Sequence, residues 1–223
     1  MKFNVINAKG TRQEEVALKN LIVVGFAGKD IEKTMEHIRE LEEEGIKCPK
    51  KVPVVYQCEK QLLTRKEEIE VIGDKTSGEV EYTILVKDGK YYIGIGSDHT
   101  DRELEAVSIH KSKQVCLKPY AEDFWEYDEI KDHFDEIKLV STQVVDGKEI
   151  EYQCGVTSDL LPIGKIIEEI QTELDVEDSL IYTGTVPLAD GFKFGEKFSC
   201  KLVDEKLGRE ISLSYSVKMI AEH

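Results

Sequence analysis

Cysteine and histidine are scarce in this chain, five of each among 223 residues. Cys48, Cys58, Cys116, Cys154 and Cys200 are odd in number, widely spaced and free of any C-x-x-C motif. That spacing excludes a zinc finger and a disulfide framework, and it fits reduced thiols filling a core in a cytoplasmic protein. Positive charge is also short: 30 Lys and Arg face 45 Asp and Glu, for a net charge of −15 and an isoelectric point near 4.9. Phosphate-backbone binding needs basic clusters, so no nucleic-acid partner is expected. No apolar run approaches membrane-spanning length, and Met1-Lys2-Phe3-Asn4 lacks the apolar core of a signal peptide, so no membrane association is expected. Proline is limited to 5 residues, and no low-complexity stretch or internal repeat interrupts the pattern. No linker is expected, and residues 1–223 read as a single domain.

Strand pattern is what the chain has in abundance. Apolar alternation predicts strands at 2–6, 16–24, 52–56, 69–72, 79–86, 91–96, 138–145, 150–154, 179–182, 197–203 and 211–217. Asp88-Gly89 and Asp146-Gly147 sit between apolar runs and predict tight hairpin turns. Helices are predicted at 30–44, with Ile31, Met35, Ile38 and Leu41 on one stripe, at 164–174 and, short, at 128–136. Another opens at Thr100-Asp101-Arg102-Glu103, read as a capping box of Thr100 and Glu103, and runs to about residue 110. Many strands with a few helices imply an α+β, β-rich fold: a roll or sandwich with peripheral helices.

The chemistry concentrates at Ser77-Gly78-Glu79-Val80-Glu81-Tyr82 and, one hairpin later, Gly94-Ile95-Gly96-Ser97-Asp98. Side chains alternate along a strand, so Glu79 and Glu81 share a face with Cα atoms roughly 6.6 Å apart. Asp98 ends the next strand and supplies a third carboxylate. Three carboxylates without a patterned histidine or cysteine favour a hard ion, Mg2+ or Mn2+. The same E-x-E spacing recurs at Glu68/Glu70, Glu103/Glu105 and Glu149/Glu151, where a solvated strand face explains it. The first pair differs in its setting. Val80, Tyr82, Ile84 and Val86 make one apolar face, while Glu79, Glu81 and Thr83 open the other and Leu85 closes it, like the wall of a half-buried cavity. In so acidic a chain, a metal would invert the local field and admit an acidic small molecule.

Taken in order, these motifs resemble the fumarylacetoacetate hydrolase family. Glu79 and Glu81 match its metal-binding E-x-E, and Ser97-Asp98-His99-Thr100-Asp101-Arg102-Glu103-Leu104 its aspartate segment. Ser112-Lys113 stands where the family has a substrate-binding lysine. Tyr182-Thr183-Gly184-Thr185-Val186-Pro187 is similar to its substrate-anchoring T-G-T-P loop. His37-Ile38-Arg39-Glu40 resembles the H-x-x-E acid/base pair of its mobile lid. A closer similarity, over nearly the full length, is to uncharacterised bacterial proteins related to that family. The chain departs from the pattern in the short Glu81-to-Asp98 interval, in Glu103 where an aspartate is common, and in Val186 ahead of Pro187.

The resemblance implies a mixed β-roll and a Mg2+- or Mn2+-dependent enzyme acting on a small oxo-acid, by C–C bond hydrolysis, decarboxylation or related enolate chemistry. It implies metal ligands Glu79, Glu81 and Asp98, substrate contacts from Lys113, Gly184 and Thr185, proton transfer by His37 and Glu40, and a homodimer. The alternative is a non-catalytic protein that binds metal and a small acid. Each residue also has a plainer reading. Lys113 follows a helix end, where a cation is favoured by the macrodipole. His37 and Glu40, spaced i, i+3, suit a solvated helix face. Thr185 suits a turn, whose N–H groups would also hold a carboxylate. His99, beside Asp98, is the next candidate base. Phe124 and Trp125 cover either the site or the core.

Overall fold

The structure is a computed structural model, and it describes residues 1–43 and 49–221, without the side chains of His37, Glu40, Leu41 and Glu42. Two mixed sheets carry the fold. The larger has eight strands in the order Gly10–Glu15, Lys2–Asn7, Asp123–Glu126, Lys90–Ser97, Val80–Lys87, Ser179–Tyr182, Asn20–Gly25 and Val54–Cys58. The smaller runs Lys148–Val156, Lys138–Val145, Lys197–Asp204, Arg209–Ile220 and Glu68–Ile72. Parallel pairing joins Lys2–Asn7 to Asp123–Glu126, Ser179–Tyr182 to Asn20–Gly25 and Arg209–Ile220 to Glu68–Ile72, and the remaining neighbours in the two sheets are antiparallel. The α+β, β-rich roll expected from the strand pattern is the observed architecture.

The strand Val80–Lys87 is central in order and buried on both faces. Val80, Tyr82, Ile84 and Val86 meet Leu139, Tyr152, Phe198, Leu202, Ile211 and Tyr215 of the other sheet in the main core. Leu85 faces the opposite way, into a second cluster with Phe3, Val5, Leu21, Val23, Phe124 and Tyr182. Alternation along one strand therefore feeds two apolar layers, and Glu81 is the one charged side chain between its ends. Phe124 and Trp125 are buried core residues, and Trp125 also lies under the Arg209 guanidinium.

The hairpin turns have the conformation their sequences demand. Asp88 and Gly89 have φ of 53° and 67°, and Asp146 and Gly147 have 51° and 71°. Two consecutive positive φ values belong to the turn that matches strand twist, which Asp-Gly adopts readily. Gly96, opposite Glu81 in register, is required by packing, because a Cβ there would lie 2.5 Å from the Tyr182 ring.

Three expectations fail locally. The strand expected at 16–24 begins only at Asn20, and a polar strand, Gly10–Glu15, precedes it. That strand lies at the sheet edge, largely exposed, so it shows no apolar alternation. The helix expected to run to residue 110 is two helices, Arg102–Val107 and Ile109–Gln114, broken at Ser108 with φ −160° and ψ 106°. Ser108 ends one helix with its N–H and caps the next with its hydroxyl. Asp101, not Thr100, caps the first helix: its Oδ1 accepts the Leu104 N–H at 2.9 Å. Thr100 instead pairs with Ser77 across a short bridge and turns its hydroxyl toward Asp98.

Candidate metal centre

The hairpin of Val80–Lys87 and Lys90–Ser97 places Glu81 opposite Gly96 and Val80 opposite Ser97. The ladder continues one step further, since the Asp98 N–H donates to the Glu79 carbonyl at 3.0 Å. Glu79, Glu81 and Asp98 thus gather at one end of the hairpin. Each offers a carboxylate oxygen, and these atoms all lie within 4.8 Å of one another, the single cluster of this kind among the described residues. Glu81 is 2% exposed and Asp98 is fully buried.

Each carboxylate has a different counterweight. Asp98 Oδ2 accepts from the Lys113 ammonium and Oδ1 lies 3.0 Å from the Lys118 ammonium. Glu79 Oε1 is 3.3 Å from Arg102 Nη2. Arg102 also donates to Ser77 Oγ at 2.8 Å and to Glu105 Oε2 at 2.8 Å, and stacks on the Phe192 ring at 4.4 Å. Glu81 Oε2 accepts one backbone N–H, from Gly184 at 2.9 Å.

The electrostatics follow from these partners. Burial raises the Glu81 carboxyl well above its ordinary value, and the neighbouring Asp98 charge adds to the rise. Burial also raises Glu79, against the opposing pull of Arg102. Burial works the same way on Asp98, but the two lysines outweigh it and hold that carboxyl below its usual range. For Lys113, burial is outweighed by Asp98 and Glu79, and its ammonium is held firmly charged. Glu81 is thus the undercompensated member of a buried set of like charges. That imbalance, together with an all-oxygen donor set, suits a hard divalent cation.

The loop expected to anchor substrate lies along the strand that carries Glu81. Thr183 Oγ1 donates to the Tyr82 carbonyl at 2.8 Å, Gly184 N–H to Glu81 and Thr185 Oγ1 to the Val80 carbonyl at 2.7 Å. Three consecutive loop residues thus clamp three consecutive strand residues. The carboxylate held by the turn is the protein's own Glu81. Gly184 makes this possible with φ of +91°.

Lys113 is placed beside the triad, but within the helix Ile109–Gln114 rather than beyond a helix end, and it is buried. His99 is not a free base. Its Nε2 lies 2.9 Å from Thr76 Oγ1 and its Nδ1 3.0 Å from Tyr215 OH, while burial and the Lys118 charge lower its pKa to about 3. The backbone of His37 and Glu40 lies in the helix Ile31–Glu43, and their side chains fall outside the described residues.

Sequence reasoning missed Lys118 and Gln153. Gln153 is fully buried and uses all its bonding capacity: Oε1 accepts from Val80 N–H and Ser141 Oγ, and Nε2 donates to Thr185 Oγ1 and the Val186 carbonyl. It fastens the strand, the loop and the second sheet together. Neither residue stands in a motif. For Lys118 the one available signal was a charged side chain inside the otherwise apolar run 115–121, and Gln153, after Glu149 and Glu151 on an alternating strand, gave none.

Solved structures share this fold at low sequence identity. One is 2-keto-3-deoxy-D-arabinonate dehydratase complexed with magnesium and 2,5-dioxopentanoate, 18% identical over 97% of this chain and 79% of that one, with a TM-score of 0.66. A second is a protein assigned to the fumarylacetoacetate hydrolase family from Yersinia pestis CO92, 17% identical over 96% and 100% of the two chains, at 0.66. A third is 2-hydroxyhepta-2,4-diene-1,7-dioate isomerase from Mycobacterium marinum, 15% identical over 95% and 79%, at 0.61. No curated protein sequence matches the chain. The fold is of the fumarylacetoacetate hydrolase type, and residues 24–215 match the family model described as "Protein of unknown function (DUF2848)", so the chain belongs to the DUF2848 family.

Proposed function

We propose that the protein is a divalent-metal-dependent enzyme acting on a small oxo-acid. The observation that carries this reading is the convergence of three carboxylates, two of them buried, with Glu81 held by one backbone N–H. The likeness to a dehydratase complexed with magnesium and 2,5-dioxopentanoate supports a small oxo-acid as the substrate class. Glu79, Glu81 and Asp98 would hold Mg2+ or Mn2+. When bound, such an ion supplies Lewis-acid stabilisation of the negative charge that develops beside a 2-oxo group.

The chain's own groups do the rest. Lys113 lies at the edge of the triad with its side chain 7% exposed, and it would neutralise the substrate carboxylate. Gly184 and Thr185 would form the wall on the Glu81 side, keeping that ligand in place and bordering the substrate. His37, oriented by Glu40, would move the proton when the helix Ile31–Glu43 closes over the site. The reaction would be C–C bond hydrolysis, decarboxylation or related enolate chemistry. The assembly would be a homodimer of single-domain chains.

One observation favours the alternative, a binding protein without turnover: His99, the histidine beside the triad, has both ring nitrogens engaged and stays neutral. Purified protein incubated with a panel of 2-oxo and 1,3-dioxo acids decides between them. Metal-stimulated turnover of a panel member supports the enzyme. Saturable metal and oxo-acid binding with no product after long incubation supports the binder.

A further inference from the structure

Among the described lysines, Lys118 is singular in having a side chain with no exposure at all. Burying an ammonium is costly unless specific partners meet it. Two do: Asp98 Oδ1 at 3.0 Å, and the carbonyl oxygen of His99. Its backbone is pinned from both sides. Lys118–Pro119 pairs in parallel with Leu63–Thr64, Tyr120 N–H donates to the Thr64 carbonyl at 3.1 Å, and Tyr182 OH donates to the Lys118 and Pro119 carbonyls at 3.2 and 3.0 Å. Lys113 contrasts with it. It sits on a six-residue helix, reaches the other oxygen of Asp98, and keeps some exposure to water.

Two cations therefore share one carboxylate, one slightly exposed and one sealed from water. We infer that Lys118 is a positioning residue, the permanent internal counter-ion of Asp98, which aims that carboxylate into the triad and holds the affinity of the site for divalent cations below its electrostatic maximum. The inference rests on reading Glu79, Glu81 and Asp98 as the metal site. An ammonium fixed behind a ligand repels an incoming cation, and in the metal-free protein it supplies the charge that keeps Asp98 soluble in a dry interior. Metal and Lys118 are thus partial substitutes. Either can balance Asp98, and each weakens the need for the other.

This yields a pattern that a purely structural lysine would not give. Lys118→Met should lower the melting temperature of the metal-free protein. Saturating Mn2+ should close most of that deficit, and Mn2+ binding followed by electron paramagnetic resonance should be about tenfold tighter or more than in the wild type, the least expected for removing one charge about 5 Å from a divalent ion even under water-like screening. Lys118→Arg, which keeps the charge, should bind Mn2+ nearly as the wild type does. Lys118→Gln, neutral but able to donate to Asp98, should fall with Lys118→Met. Unchanged or weaker Mn2+ binding in both neutral variants, with the same deficit at saturating Mn2+, overturns the inference. So does failure of both to fold even in Mn2+, because the metal was to replace the missing charge. A wild-type protein that binds no Mn2+ would instead remove the metal-site reading, and the Lys118 inference with it.

Discussion

The backbone N–H of Gly184 lies 2.9 Å from Oε2 of Glu81, across 103 residues of sequence. A carboxylate of the triad is thus oriented by a loop on the neighbouring strand, and the loop can supply that donor because Gly184 adopts φ of +91°. A Cβ at this position would also approach the Ala27 side chain to 3.0 Å.

Gly184→Ala should therefore reorient or lose the donor. A non-glycine residue forced into such a conformation costs about 1–3 kcal/mol. The expected result is a lower melting temperature and Mn2+ binding weakened several-fold, read by thermal denaturation and Mn2+ titration. Binding equal to that of the wild type would show that Glu81 needs no help from the loop.

Lys113→Met should destabilise the protein, contrary to what a position after a helix end implies. The ammonium is buried against Asp98, and removing one partner of a buried ion pair costs about 3–5 kcal/mol. Urea unfolding of the metal-free variant measures this. A change under 1 kcal/mol would mean that Lys118 alone balances Asp98.

Gln153→Met preserves bulk but removes four hydrogen bonds. Each buried polar group left unpaired costs about 1–3 kcal/mol, so the loss should be large for a volume-conserving change. Gln153→Glu retains the acceptor for Val80 and Ser141 and should lose less stability than Gln153→Met, while both lose the donor to Thr185 and Val186. Equal unfolding midpoints for wild type and Gln153→Met would contradict the tie between loop and strand.

The fold and the triad were legible in the sequence for a shared reason. Strand alternation fixes which side chains share a face, so the Glu79/Glu81 pair, its apolar opposite face and the Asp-Gly turns follow from local rules. The relationships that a local rule cannot supply were missed. Lys118 acts through a carboxylate twenty residues earlier, and Gln153 through a loop on another strand. The edge strand Gly10–Glu15 was missed because its residues face water and show no period. The break at Ser108 was missed because serine there serves as the end of one helix and the cap of the next.

A stability limb at acid pH should come from the far end of the second sheet. Burial raises the Asp204 carboxyl, but the Leu207 N–H, His133 Nε2 at 3.1 Å and Arg209 outweigh it, and the folded-state pKa lies below its ordinary value. A lowered folded pKa gives stability that is present above the unfolded value, near 3.9, and lost as pH falls through the folded one. The wild-type melting temperature should drop as pH is taken below about 4. Asp204→Asn should start lower and show a shallower acid limb. Parallel limbs for the two proteins would place the acid sensitivity elsewhere.

The central claim is that Glu79, Glu81 and Asp98 hold one divalent cation. Crystals soaked in Mn2+, with data collected at a wavelength where manganese scatters anomalously, test it most directly. The account predicts a single strong anomalous peak within bonding distance of one oxygen from each of the three carboxylates, lost in crystals of Glu81→Ala. A peak elsewhere on the chain, or density in which the three carboxyl groups turn away from a common point, would contradict it.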